Sequence, residues 1–287
     1  MNNNLPLSHR TQEPERSVLY MVGTPIGNLN DISYRAINIL KNVSLIACED
    51  TRHTKKIMNK YNITNNLISF NKHNSYNKIP RIVKDLKERK SIAIVSDAGM
   101  PGICDPGENI AKEVKLEGFD VICIPGPCAA LTALISSGMP SSSFIFEGFL
   151  PKKKCEREKI LFEISKNDKT TILFESPHRL KKLLRELSEY CGGEREIEIF
   201  RELTKKFEEH IGNNIKSVIS FFEKEEVKGE ITIVIKGITK KKGLDFCESD
   251  LKNELKELIN AGLSLSSASK YLAKKTGLKK SVIYDLS

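Results

Sequence analysis

Short apolar runs, each ending in a glycine- and proline-rich loop, dominate the first half of the chain. Residues 18–23 (VLYMVG) run into Gly23-Thr24-Pro25-Ile26-Gly27, residues 91–95 (SIAIV) into Asp97-Ala98-Gly99-Met100-Pro101-Gly102, and residues 121–124 (VICI) into Pro125-Gly126-Pro127. Near-continuous apolar strands suit a parallel sheet whose two faces are both covered. Amphipathic stretches lie between them. Residues 31–40 set Ile32, Ala36, Ile37 and Leu40 on one helical face, with Asn30 or Asp31 as the expected N-cap. Residues 45–48 read as a further short strand, and Glu49-Asp50-Thr51 as the cap of a helix reaching about Lys60. Strands alternating with helices predict an α/β fold.

The second half changes texture. Residues 144–150, 171–174, 197–200 and 231–235 read as strands, with charged helices near 154–165, 178–190 and 214–225. This predicts a second α/β domain, with the boundary near 138–142. A lysine run, Lys240-Lys241-Lys242, reads as a linker, followed by helical patterns over 250–261, 265–276 and 279–286. The expected organisation is a disordered extension over 1–16, α/β domains over 17–139 and 140–238, and a linker with a basic helical tail over 239–287.

A chain of 287 residues with 39% apolar and 29% charged residues suits two such domains. No segment approaches the roughly 20 apolar residues of a membrane span. The first 17 residues lack the apolar core of a signal peptide, so a cytoplasmic location is expected. The seven cysteines form no C-x-x-C pair, and the five histidines show no metal-ligand spacing. Reduced thiols and no metal are expected. The net charge of +9 favours a polyanionic partner, and residues 238–287 hold 10 lysines against 6 acids.

The three loops follow strand ends, where open α/β sheets bind ligands. They match neither G-x-G-x-x-G in its strand–helix context nor the phosphate loop G-x-x-x-x-G-K-[ST]. A wall of backbone groups with one acid suits a zwitterionic ligand that contains an adenosine and an amino acid. Tight turns in a structural fold are the alternative. Glu49-Asp50-Thr51-Arg52-His53 is either a helix start or an acid–base cluster at a cleft edge. Glu175-Ser176-Pro177-His178-Arg179 is again a strand end with a helix start. Residues 201–209 (RELTKKFEE) form a charged run of the kind that usually faces solvent.

Taken in order, GTPIGNLNDISYRA, ACEDTRHT, SDAGMPGICDPG, IPGPCAAL, FEGFLPKKKCER, FESPHR, RELTKKFEE and GEITIVI resemble the bacterial 16S ribosomal RNA 2′-O-ribose methyltransferase family. That family is a branch of the tetrapyrrole methylase superfamily. The resemblance covers about residues 18–236, with a fainter match at LAKKTGLKKSVIYDL. It implies two α/β domains of the tetrapyrrole methylase type with S-adenosylmethionine in the cleft between them, a small C-terminal helical tail, and a homodimer. It also implies methylation of the cytidine 1402 ribose of 16S ribosomal RNA, as naked RNA or within the small subunit. Residues implied to bind the cofactor are Pro25, Ser96, Asp97, Ala98, Gly99, Pro101, Cys128, Ala129, Phe149, Leu150, Glu230, Ile231 and Thr232. Where the family usually reads SDAGTPLISDPG, this chain carries Met100, Gly102 and Cys104, and Phe174 replaces a common tyrosine.

A ribose hydroxyl is a poor nucleophile, so alignment and a base or compensating charge are expected. The candidates are Glu49, Asp50, Arg52, Glu175, His178 and Arg179. Lys152, Lys153, Lys154, Lys240, Lys241, Lys242, Lys274, Lys275, Lys279 and Lys280 are candidate phosphate contacts. Two other readings stand beside this one: a tetrapyrrole-directed small-molecule methylase, and a non-catalytic RNA-binding module.

Overall fold

The computed structural model describes residues 13–238, 248–276 and 279–286. Two compact units divide the chain after Gly237.

The first unit begins with five parallel strands and their helices. Strands β1 (Val18–Val22), β2 (Leu45–Cys48), β3 (Leu67–Ser69), β4 (Ile92–Val95) and β5 (Asp120–Ile124) form one sheet in the order β3-β2-β4-β1-β5. The intervening helices are α1 (Tyr34–Asn42), α2 (Thr51–Lys60), α3 (Ser75–Lys87) and α4 (Glu108–Leu116). Every residue of β1 and β4 is buried, as apolar runs without alternation require. Tyr20, Ile46 and Val95 pack under α1 and α2 on one face. Leu19, Ile92 and Ile94 pack against Ile82, Leu86 and Ile110 on the other. Full burial of such a side chain contributes about 1.5–3 kcal/mol.

Helix α5 (Ala129–Ser136) leads to a second sheet of β6 (Phe144–Phe149), β7 (Thr170–Glu175), β8 (Glu196–Arg201), β9 (Glu209–Asn214) and β10 (Ile231–Ile235). Its order is β6-β7-β10-β8-β9, with only β6 and β7 parallel, so this sheet is mixed. Helices α6 (Lys154–Lys166), α7 (Pro177–Cys191) and α8 (Ile215–Lys224) supply Leu161, Leu183, Leu187, Val218 and Phe222 to one face. Helix α5 packs on β7 and β10, joining Ala133 and Leu134 to Ile172, Phe200 and Val234. The 138–142 segment connects α5 to β6.

Two expectations need correction. Neither Asn30 nor Asp31 caps α1. They belong to a 3-10 turn capped by Asn28, and Ser33 caps the helix by accepting the N–H of Ala36 at 3.1 Å. The charged run at 201–209 is exposed at Lys206, Phe207 and Glu208, as such runs usually are, and ends where Glu209 opens the edge strand β9. Residues 13–16 of the expected disordered extension pack against the fold. Glu13 pairs with Arg35 at 2.6 Å, and the Glu15 N–H donates to the buried Tyr20 hydroxyl at 2.8 Å.

The second unit contains α9 (Glu248–Asn260), α10 (Leu265–Thr276) and α11 (Lys280–Tyr284). Leu255, Ala268, Leu272 and Ile283 form its buried core. Among the described residues, no helix is long and apolar enough to cross a membrane.

Candidate active site

Three strand-end loops meet at the C-terminal edge of the first sheet. The loops after β1 and β4 exchange backbone hydrogen bonds, Thr24 N–H to Gly99 O at 2.9 Å and Gly99 N–H to Thr24 O at 3.1 Å. The buried Thr24 hydroxyl donates to the carbonyls of Ser96 and Gly99 at 3.3 and 3.4 Å. Gly99 takes a φ of +77°, which a side chain would strain. The loops after β1 and β5 touch through backbone. A Cβ on Gly126 would lie 2.8 Å from the Gly23 Cα, so both positions demand glycine.

These loops form one wall of a cleft of about 450 Å³, within the range of small-molecule and cofactor sites. The second sheet supplies the opposite wall. Of the residues expected at the cofactor, Asp97, Ala98, Gly99, Cys128, Ala129, Phe149, Glu230, Ile231 and Thr232 line the cleft. Pro25, Ser96, Pro101 and Leu150 are buried behind it and support the lining. The lining also contains Ile26, Met100, Ile103, Cys104, Asp105, Phe174, Ser176, Pro177 and Gly229. Asp105 was legible as part of SDAGMPGICDPG, but nothing in that string says which acids turn inward. The T-shaped contacts of Phe146 and Phe149 with Phe174 build an aromatic corner that does not need a phenolic hydroxyl.

Glu49, Asp97 and Asp105 face this one cleft. Burial, then the nearby Glu49 charge, pushes the Asp105 carboxyl up to about 6. Burial, then the charge of Asp97, raises Glu49 as well. Lys72, whose ammonium donates to the Cys104 carbonyl at 2.7 Å, partly offsets this field. Crowded carboxylates in a half-dry space favour a cationic ligand.

The six acid–base candidates separate in space. Glu49 lines the cleft. Asp50 caps α2, accepting the Arg52 N–H at 2.8 Å and the Arg52 guanidinium at 2.6 Å. Those hydrogen bonds hold its carboxyl far below the usual carboxylate range. Arg52 itself projects into solvent. The Glu175 carboxylate is fully buried, 3.3 Å from Arg179 Nε and 3.7 Å from Arg157 Nη2, and it accepts the Ser176 N–H at 2.8 Å. Arg179 donates to the Leu150 carbonyl at 2.8 Å, so this group clamps the ends of β6 and β7 together. His178 is exposed in the first turn of α7 and does not line the cleft.

Among the described residues, Asp50, His53 and Asp97 bring potential ligand atoms within 4.8 Å of one another. Each of them already has a partner. Asp97 accepts the Asp50 N–H at 2.9 Å and meets His53 Nδ1 at 3.2 Å, while the Arg52 cation occupies Asp50.

Of the candidate phosphate contacts, Lys152 is exposed, Lys153 pairs with Glu156 at 3.3 Å and Lys154 with Glu158 at 3.7 Å. In the second unit Lys274 and Lys279 are exposed, Lys275 pairs with Glu254, and Lys280 donates to Ser266 at 2.8 Å. Lys240, Lys241 and Lys242 lie outside the described residues.

A parallel sheet and a mixed sheet flank a cleft built from strand-end loops, and over most of these elements the chain matches a family of methylases of the tetrapyrrole type. The tetrapyrrole (corrin/porphyrin) methylase family pattern matches residues 18–219. Cobalt precorrin-4 methyltransferase, a cobalamin biosynthetic enzyme, superposes with a TM-score of 0.60 at 15% identity, covering 77% of this chain and 95% of that one. A uroporphyrin-III C-methyltransferase from Thermus thermophilus complexed with S-adenosylhomocysteine gives 0.54 at 13% identity, covering 75% and 96%.

Within that fold, sequence similarity is much closer to one branch. Ribosomal RNA small subunit methyltransferase I of Synechocystis sp. is 41% identical over 270 residues, 94% of this chain and 97% of that protein. The Thermotoga maritima protein of the same name is 48% identical over 219 residues, 76% of this chain and 98% of its own length. The chain belongs to the ribosomal RNA small subunit methyltransferase I family of tetrapyrrole-type methylases.

Proposed function

We propose that this chain transfers a methyl group from S-adenosylmethionine to the 2′-hydroxyl of a cytidine ribose in 16S ribosomal RNA, at cytidine 1402. One observation carries the cofactor assignment. Of the five acidic residues that line the cleft, Glu175 and Glu230 are paired with Arg179 and Lys205, while Glu49, Asp97 and Asp105 share it with the apolar side chains of Ile26, Met100, Ile103, Phe149 and Ile231. An adenosine suits the apolar walls and the exposed loop backbone. A sulfonium and an ammonium suit the acids. When bound, the cofactor supplies an electrophilic methyl group.

The protein's part is alignment and proton handling. The paired loops at Thr24 and Gly99 fix one side of the cleft, and the Glu175–Arg179–Leu150 clamp fixes the other. Such positioning can supply roughly 7–11 kcal/mol of a barrier. Asp105 and Glu49 are the groups on the cleft wall with raised proton affinity, and we assign the ribose proton to one of their carboxylate oxygens. Asp50 and Arg52 act indirectly by holding Asp97 in place.

The substrate assignment follows the family branch, in which 38–48% identity extends over most of the chain, against 13–17% for the tetrapyrrole-directed structures. We further propose a cytoplasmic homodimer, with Leu131 and Ile135, one turn apart on α5 and exposed, on the contact face.

The test is incubation with isotope-labelled S-adenosylmethionine and small ribosomal subunits from cells lacking this protein, then nucleoside mass spectrometry. Labelled 2′-O-methylcytidine, alone or with a second methyl group, is the expected product. Label on a free tetrapyrrole and on no ribose would replace this reading with the small-molecule one. RNA retention without cofactor binding would replace it with a non-catalytic module.

A further inference from the structure

The segment after β8 is more tightly built than its charged sequence suggests. Glu202 and Thr204 adopt φ values of +53° and +65°. Residues with side chains keep such a backbone only where the surroundings over-determine it. Here they do. Glu202 exchanges backbone and side-chain hydrogen bonds with Glu230, donating its N–H to the Glu230 carbonyl at 2.9 Å and accepting the Glu230 N–H at 2.8 Å. Lys205 bridges the Glu202 and Glu230 carboxylates at 2.8 and 3.0 Å. The Thr204 N–H donates to Glu208 at 2.6 Å, and the Thr204 hydroxyl accepts the Asn28 N–H at 3.0 Å. Leu203 is buried in the cluster that contains Ile26 and Phe200. The loop is therefore fastened to both walls of the cleft, at Glu230 on one side and at the loop after β1 on the other.

This rigid loop presents an aromatic side chain outward. Phe207 is 66% exposed. The Lys206 ammonium lies 5.4 Å from its ring centroid, and among the described residues no ion pair engages Lys206. One exposed aromatic on a soluble protein is ordinary. One held beside a lone cation on a strained loop, fastened to the lip of a nucleotide-sized cleft, has a more specific use. Unpaired RNA bases stack on aromatic side chains while cations meet the flanking phosphates.

We propose that the 202–208 loop is an RNA platform, on which Phe207 stacks an unpaired base neighbouring the target nucleotide and Lys206 meets an adjacent phosphate. The proposal rests on the ribosomal RNA reading above and names a surface through which that substrate is held. Stacking a neighbour keeps the target nucleotide out of its own stack, so its ribose can enter the cleft.

The experiment compares wild type with Phe207→Ala, Phe207→Leu, Phe207→Trp and Lys206→Ala on small ribosomal subunits from cells lacking this protein. Cofactor affinity by calorimetry and melting temperature are measured alongside. Phe207→Ala is expected to raise KM for the subunits between about fivefold and a hundredfold, with cofactor affinity and melting temperature unchanged. Phe207→Trp should restore KM. Phe207→Leu, apolar but unable to stack, should not. Lys206→Ala should make the salt dependence of subunit binding shallower by about one charge. An unchanged KM in Phe207→Ala, or full function in Phe207→Leu, overturns the platform while leaving the methyltransferase reading intact. A wild-type protein that labels no RNA overturns both.

Discussion

The Asp97 carboxylate accepts the backbone N–H of Asp50 at 2.9 Å, tying the loop after β4 to the start of α2. Its other oxygen meets His53 Nδ1 at 3.2 Å. One side chain thus sets the spacing between two cleft-forming elements and still contributes charge to the cleft. Asp97→Ala removes both roles. Cofactor affinity should fall about tenfold or more, since a hydrogen bond involving a charged group contributes about 1.5–3 kcal/mol. Asp97→Asn can keep the bond to Asp50 and should retain the fold while losing affinity. Calorimetry with S-adenosylmethionine separates the two, and wild-type affinity in both would remove Asp97 from the site.

The Asp105 carboxyl, raised to about 6 by burial and by Glu49, makes the cleft sensitive to pH. Its folded-state affinity for a proton exceeds the unfolded value near 3.8. Its stabilising contribution is therefore full below about pH 4 and is lost as pH rises through 6. Asp105→Asn should raise the melting temperature at pH 8 and change it little at pH 4. A cationic ligand favours the ionised carboxylate, so cofactor binding at pH 6 should release protons. Calorimetry in buffers of different ionisation enthalpy reads that release directly. Proton-neutral binding would argue against Asp105 facing the ligand.

Gly23 and Gly126 are in backbone contact across the loops after β1 and β5. Gly126→Ala must push these loops apart, because its Cβ would meet the Gly23 Cα and carbonyl carbon at 2.8 Å. A loss of about 1–3 kcal/mol in denaturant stability is expected, together with weakened cofactor binding. Gly118→Ala is the contrast. Its Cβ would meet nothing within 4 Å, although φ is +82°, so it should cost backbone strain without disturbing the cleft.

Glu175 has no exposed side-chain surface and compensates Arg157, which is itself buried, as well as Arg179. Glu175→Ala leaves the Arg157 guanidinium with Glu186 as its remaining carboxylate partner. Removing one member of a buried ionic group typically costs about 3–5 kcal/mol. Urea unfolding should register a loss of that order, and Arg179→Ala, at the more exposed end, should lose less stability. If Arg179 works through Leu150 and the end of β6, its removal should raise the KM for the cofactor more than it lowers kcat.

Much of this architecture is legible in residue order. The strands β1, β2 and β4 announce themselves as apolar runs because both faces of a parallel sheet are covered, whereas β5, at the edge of the sheet, buries fully only Ile124. The cap of α2 is legible only as the group Glu49-Asp50-Thr51, in which Thr51 is the expected cap, and the structure gives that role to Asp50 with Thr51 as the first helical residue. The start of α1 is not legible, since Asn28, Asn30, Asp31 and Ser33 can all cap, and the path of the chain assigns Asn28 to the turn and Ser33 to the helix. Strand β9 (EHIGNN) carries almost no hydrophobic alternation, because an edge strand held by its pairing with β8 needs little. Likewise, Pro25, Ser96, Pro101 and Leu150 sit in the right segments but stand behind the cleft wall, while Ile103, Cys104 and Asp105 turn into it.

The sequence by itself determined the strand-end loops, the alternation that builds an α/β fold, and membership in a methylase family, because each depends on residues close along the chain. Only the tertiary structure decided that Glu49, Asp97 and Asp105 share one cleft, that Glu175 and Arg179 brace a wall, and that the RELTKKFEE run, tied to Glu230, leaves Phe207 exposed. Desolvation and charge coupling depend on what surrounds a group in space. Residues far apart in sequence acquire a common dielectric and a common field only when the two sheets close around the cleft.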